Sequence, residues 1–182
     1  SVKEVGVVDG LVRILESEPR LTIALPPGKP TEQQIMTLRY AQARDVAGWA
    51  AGALGLLDAR TSLPLLLRTA EDPNDFFLRL MSIRSLVSWK VPEAYPVLVG
   101  RLEDPLPDIR LLALTGLAWL GDPKAVDPVL ARLSDTDPAV RALAVQTLGY
   151  LGGPKVRLQL EAMQQKESDP GVLGALEAEL SR

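Results

Sequence analysis

Three stretches of the chain share one pattern of large, small and charged positions. They are FFLRLMSIRSLVSWK (76–90), PDIRLLALTGLAWLG (107–121) and PAVRALAVQTLGYLG (138–152). In one frame Arg79, Arg110 and Arg141 stand 31 residues apart. Ser82, Ala113 and Ala144 follow three residues later, and Leu86, Leu117 and Leu148 four after that. Trp89, Leu120 and Leu151 complete the set. Offsets of 3, 7 and 10 share one face of an α-helix, so each stretch is predicted to be a helix that buries that face.

A short break and a second apolar run follow each of these helices. The runs are PEAYPVLVGRLED (92–104), DPKAVDPVLARLSD (122–135) and GPKVRLQLEAMQQ (153–165). A further copy, VAGWAAGALGLLDARTSLPLLLRTAED (46–72), precedes them at an offset of 32, with Leu54 in the place of Leu86 and Ala47 in that of the arginine. Pro64, Pro96 and Pro128 fall in the first turn of the second helix, where the amides have no intrahelical acceptor and proline is tolerated. The pairs Asp104-Pro105, Asp137-Pro138 and Asp169-Pro170 mark the turn into the next unit, because a residue before proline disfavours helix.

Two helices recurring about every 31 residues are the signature of stacked hairpins. One hairpin alone cannot bury its apolar face, but neighbours can bury it for each other. The pattern D-P-x-V-R-x-x-A-x-x-x-L-G-x-L-G followed by A-V-x-P-V-L resembles HEAT repeats. It is most similar to the short bacterial variety in phycobilisome-lyase-like HEAT proteins. The resemblance covers about residues 45 to 180 and is clearest in 104–153. It implies an all-α fold, a right-handed α-α superhelix of about four to five hairpins. The frame divides a single domain into an N-terminal helix (1–17), a proline-rich loop (18–34), repeats at 35–72, 73–104, 105–135 and 136–166, and a C-terminal half repeat (167–182).

The ends depart from the frame. Val172, Leu176 and Leu180 continue a helical stripe, so 170–181 reads as the first helix of a unit without its second. VKEVGVVDGLVRILES (2–17) reads as a second-type helix without a first. The chain starts at Ser1 and reads as a processed or excised piece of something longer. The loop EPRLTIALPPGKPTEQQ (18–34) holds prolines at 19, 26, 27 and 30. Leu21, Ile23 and Leu25 alternate with polar or small residues, which suggests an extended segment packed on one side. Thr31 and Gln34 form a capping box for a long helix running toward Leu57, with a bend expected near Gly48. Two readings stand for the loop: a partner contact, or an insertion folded over the first unit.

Composition narrows the chemistry. Aromatics are only 4% of the 182 residues, so the core is aliphatic. The net charge of −3 and the isoelectric point near 5.1 argue against nucleic-acid binding, which needs a concentrated basic surface. No histidine or cysteine is present, which removes the commonest general base, the commonest metal ligand and any thiol nucleophile. The stretch free of charge and proline from Val46 to Leu57 is shorter than the about 20 residues a spanning helix needs. No membrane insertion and no cofactor are expected, and the cytoplasm is favoured over the periplasm.

Three groups of residues are candidates for function. The first is the ladder of Arg79, Arg110 and Arg141. The resemblance implies that these arginines bond acidic or carbonyl groups between neighbouring units, with Asp104, Asp108, Asp122, Asp135 and Asp137 near enough in sequence to serve. The alternative is an anion-gripping row. The second is the pair Trp119 and Tyr150, one repeat apart and beside the core positions. They serve either as interface anchors or as cover for the seam between helices. The third is the face of the second helices, which in HEAT arrays lines the concave groove. Arg101 and Arg132 align there, with Thr69 before them, Gly100 and Ala131 beside them, and Arg157, Gln159, Glu161 and Lys166 beyond. Such a face suits an acidic peptide or helix, or is simply solvated.

Enzyme readings are weaker. HEAT-like iron hydroxylases use His-Glu ligand pairs, which a chain without histidine cannot form. HEAT-like DNA glycosylases need a basic groove. Bilin lyases stay nearest in repeat style, although no residue here marks a tetrapyrrole contact. The carboxylate pairs Asp135/Asp137 and Glu103/Asp104 sit at turns beside prolines, as helix-boundary residues do. Gly152-Gly153-Pro154 reads as a helix end followed by a restart, not a phosphate loop. The expected function is therefore non-catalytic protein binding as a scaffold or adaptor on the concave face. The runner-up is a subunit of a bilin-lyase-like or other enzyme assembly. The expected partner is a protein or peptide, with Arg101, Arg132, Arg157, Trp119 and Tyr150 as candidate contacts.

Overall fold

The computed structural model describes residues 2–17 and 46–182. The proline-rich loop, the Thr31–Gln34 capping box and the upstream part of the long helix expected before Leu57 lie outside the described residues. The described elements are α1 (Val2–Ser17), α2 (Val46–Leu56), α3 (Leu63–Thr69), α4 (Phe76–Trp89), α5 (Tyr95–Arg101), α6 (Pro107–Leu120), α7 (Val126–Leu130), α8 (Pro138–Leu151), α9 (Pro154–Gln164) and α10 (Pro170–Leu180). Helices α2, α4, α6, α8 and α10 are the first helices of successive hairpins, and α3, α5, α7 and α9 are the second.

The chain forms two compact units, Ser1–Val97 and Leu98–Arg182, divided within α5. In the first unit α1 packs on α2, and α2 and α3 both pack on α4. Its core is aliphatic: Leu15, Ala51, Leu54, Leu66, Leu78, Ile83 and Leu86 are buried. In the second unit α6 packs on α8 and α8 on α10, with α7 and α9 against them. Ile109, Ala113, Leu114, Leu117, Val140, Ala144, Val145, Leu148, Val172 and Leu176 are buried there. The frame positions thus face inward, except that Arg141 and, at the helix ends, Leu120 and Leu151 are only half-buried.

Local chemistry sets each helix start. Asp75 accepts a hydrogen bond from the Leu78 amide, Asp137 from Ala139 and Val140, and Asp169 from Gly171 and Val172. Proline occupies the first position of α6, α8 and α10, where its missing amide leaves no bond unmade. Leu106, before α6, has no capping side chain, and the Asp104 carboxylate takes the Leu106 amide instead at 3.1 Å.

The connection between the helices of a hairpin is more ordered than a simple break. Lys90 and Gly121 end α4 and α6 in the left-handed region, with φ of 52° and 64°. A 3₁₀ turn then leads into the second helix, at Arg60–Ser62, Pro92–Ala94 and Pro123–Ala125. Glycine suits such a cap because it has no Cβ to clash. The last hairpin differs: Gly152 and Gly153 have φ of 75° and 108°, and α9 begins directly at Pro154.

Helix α2 is rich in glycine because α4 lies close to it. A Cβ at Gly55 would collide with the Ser85 side chain and stand 3.0 Å from Ser85 Cα. The Ser85 hydroxyl donates to the Ala51 carbonyl at 2.9 Å, and Trp89 Nε1 to the Gly55 carbonyl at 3.1 Å. These bonds tie α4 to α2.

Candidate functional site

The ladder arginines rise from the first turn of a first helix and reach back to the turn before it. Arg79 Nη1 donates to the Asp72 carbonyl, Arg110 Nη1 to that of Asp104 and Arg141 Nη1 to that of Asp135, each at 2.9 Å. In the second unit the guanidinium also reaches the next turn. Arg110 Nη2 lies 2.7 Å from Asp135 Oδ1. Arg141 grips Glu167 with two bonds, Nε to Oε2 at 2.8 Å and Nη2 to Oε1 at 3.0 Å. Asp135 therefore joins two rungs, taking Arg110 on its carboxylate and Arg141 on its carbonyl.

Each acid also braces the backbone of its own turn. Asp135 Oδ1 accepts from the Asp137 amide at 3.0 Å, and Glu167 Oε1 from the Ser168 and Asp169 amides, both at 2.9 Å. The bond from Arg141, then the bond from the Asp169 amide, hold the Glu167 carboxyl down at a pKa of about 2. The same pairing raises that of Arg141. Charge-assisted, two-pronged bonds of this kind suit the guanidinium fork.

Sequence reasoning did not place Glu167 among the acids that serve the ladder. A signal existed: Glu167 stands two residues before the Asp169 cap, as Asp135 stands before Asp137. The single extra residue in the last repeat hid the match. Asp137 and Asp122 act as helix or turn caps, and Asp135 carries the contact to the preceding arginine.

Arg101, the last residue of α5, and Arg132 are held differently; Arg132, expected on the second helix, lies in the 3₁₀ turn Ala131–Ser134 that follows α7. Arg132 Nη1 donates to the Leu102 carbonyl at 2.9 Å, which places its guanidinium at the end of the preceding second helix. Its Nη2 stands 3.6 Å from Glu103 Oε1, beyond a good hydrogen bond. Arg101 Nη1 meets Asp104 Oδ2 only at 3.5 Å. Both guanidinia thus converge on residues 102–104. Both are partly exposed, and their Nε groups are buried without a hydrogen-bond partner among the described residues. The Nε of Arg110 is buried likewise, but both its Nη groups are bonded at 2.9 Å or less. The Nη groups of Arg110 and Arg141 are held by short bonds to acids and carbonyls, whereas those of Arg101 and Arg132 meet their acids only at 3.5 and 3.6 Å, on side chains 25% and 18% exposed.

Arg157 lies apart from that pair. It is exposed on α9, donating to Glu161 Oε1 and to the Leu180 carbonyl, both at 3.1 Å. Trp119 and Tyr150 occupy the last turns of α6 and α8 and are 52% and 71% exposed. A Cβ at Gly121 would stand 3.9 Å from Tyr150 Cε1, so the ring lies beside the end of α6. In the first unit, the exposed Trp49 meets Phe77 edge-on, with ring centres 5.1 Å apart, and Leu56 and Leu57 are also exposed. No helix among the described residues is long and apolar enough to cross a membrane.

Helical hairpins recurring at 31 to 32 residues, with arginine–acid pairs bracing successive turns, define an all-α solenoid class of protein. Within that class, the family model for HEAT repeats matches residues 34–110 and again 101–181, and the chain belongs to that family. No curated protein matches the chain in sequence. HEAT repeats generally mediate contacts between proteins.

Proposed function

We propose that this chain is a non-catalytic protein-binding scaffold that takes an acidic segment of a partner on the second-helix face of its C-terminal unit. The observation that carries this reading is that the partly exposed guanidinia of Arg101 and Arg132, set around residues 102–104, meet their acids only at 3.5 and 3.6 Å. A guanidinium held in place loses less freedom on binding a carboxylate than a mobile one does. Trp119 and Tyr150 offer large, partly exposed rings in the same unit, of the residue type enriched at interface anchors.

The test compares the chain with its Arg101→Glu/Arg132→Glu variant in affinity capture from cell extract and in titration with glutamate-rich peptides. Loss of the captured protein and of peptide binding, with the helical melt retained, supports the reading. Equal capture and equal peptide binding by both would sink it. A change in bilin absorbance on mixing would instead favour a subunit of a lyase-type enzyme assembly, the alternative that the repeat style of 104–153 suggests.

A further inference from the structure

The two acids beside the arginine pair differ in how firmly they are held. The Asp104 side chain is wholly buried, and its Oδ1 accepts the Leu106 amide, so it is part of the turn that starts α6. Glu103 is its opposite. Its side chain is 80% exposed, and 3.6 Å separates its carboxylate from Arg132. That carboxylate makes no other hydrogen bond or ion pair among the described residues. Arg132 itself is anchored independently, through the Leu102 carbonyl. Withdrawal of Glu103 would therefore leave the guanidinium where it is and open its Nη2 edge.

We infer that Glu103 is a displaceable internal occupant of the Arg132 guanidinium, and that a docking acidic segment supplies a carboxylate in its place. This rests on the binding reading above and adds to it. Charge complementarity selects the occupant: a cationic edge, screened by one weakly held carboxylate, discriminates against neutral segments. An acidic segment must displace Glu103, and the loss of that weak pair is what it must offset. Exposed pairs at such distances contribute little, so the exchange is inexpensive and sensitive to salt. Glu103 thus tunes the affinity of the site without holding the fold together.

The experiment uses the 182-residue chain and a labelled, end-capped peptide with four consecutive glutamates in a glycine-serine background, titrated by fluorescence anisotropy at low salt. Glu103→Gln is compared with Glu177→Gln, which changes net charge equally at an exposed position on α10. Glu103→Gln is expected to tighten binding by about two- to fivefold, while Glu177→Gln leaves it unchanged. Adding Arg132→Gln to Glu103→Gln should remove the gain, and Arg132→Met, which keeps the aliphatic stem without the charge, serves if the glutamine variant fails to fold. Equal affinity of the wild type and Glu103→Gln, or an equal gain from Glu177→Gln, overturns the inference while the binding reading stands. Failure of both the wild type and Glu103→Gln to bind the peptide overturns both.

Discussion

Replacing Glu167 by glutamine isolates the charge of the last ladder rung. The amide oxygen can still accept the Ser168 and Asp169 amides, so chiefly the ionic, two-pronged bond to Arg141 is lost. The Glu167 carboxyl sits at about 2, against an ordinary value of 4.5. In full, that displacement corresponds to about 3 kcal/mol at neutral pH. Solvent reaches the Arg141 side chain, which is 18% exposed, and screening lowers the figure. A loss of about 1–2 kcal/mol is expected, between the values for exposed and buried pairs. The sign of the pH dependence follows from the lowered value. The unfolded chain binds the proton more readily, so the contribution is fully present above the ordinary carboxylate range. It is lost as pH falls from about 4.5 toward 2. Urea unfolding of the wild type and Glu167→Gln at pH 7, 5, 4 and 3, followed by helical signal and by exchange of the Val172 amide, measures this directly. The stability difference should be constant from pH 7 to 5 and shrink below that. A difference under about 0.5 kcal/mol at pH 7, the scatter expected of a neutral surface change, or one independent of pH, would refute the assignment of this rung.

Leu117 is fully buried between α6 and its neighbours, so Leu117→Asp places a charge without a partner in the core and should abolish the cooperative helical melt of the second unit. The Thr147 hydroxyl is buried with no hydrogen-bond partner among the described residues, so Thr147→Val, close to it in shape, should leave stability unchanged or raise it by up to about 1 kcal/mol, as read by urea midpoint. Gly55→Ala should destabilise the first unit by about 1–3 kcal/mol, since the Ser85 backbone cannot move aside, and loss of protection at the Ala51–Ser85 contact would report it. Gly52→Ala should be milder, because the atom it meets is the terminal methyl of the flexible Met81 side chain.

What could be read from the residues alone was local and periodic. The frame of arginine, small residue and leucine gave the first helices within a residue or so of their ends, because 3.6-residue periodicity, proline at the first position and aspartate at the cap all act within one turn. The second helices were legible in place, but the 3₁₀ turns that introduce three of them were not. A three-residue turn has no period, and its left-handed cap at Lys90 is carried by a residue with no glycine signal. Membership of the HEAT family follows from the same periodic positions.

Tertiary structure decided which acid meets which arginine. Arg110 bonds Asp135 across 25 residues and Arg141 bonds Glu167 across 26, and a single extra residue in the last repeat hides that match from a fixed frame. Stacking likewise determined that Arg132 reaches the Leu102 carbonyl one hairpin back and stops short of Glu103. Helix identity depends on contacts within a turn, which neighbouring residues specify. The pairing and saturation of a guanidinium depend on how adjacent hairpins are offset, and only their packed cores set that offset.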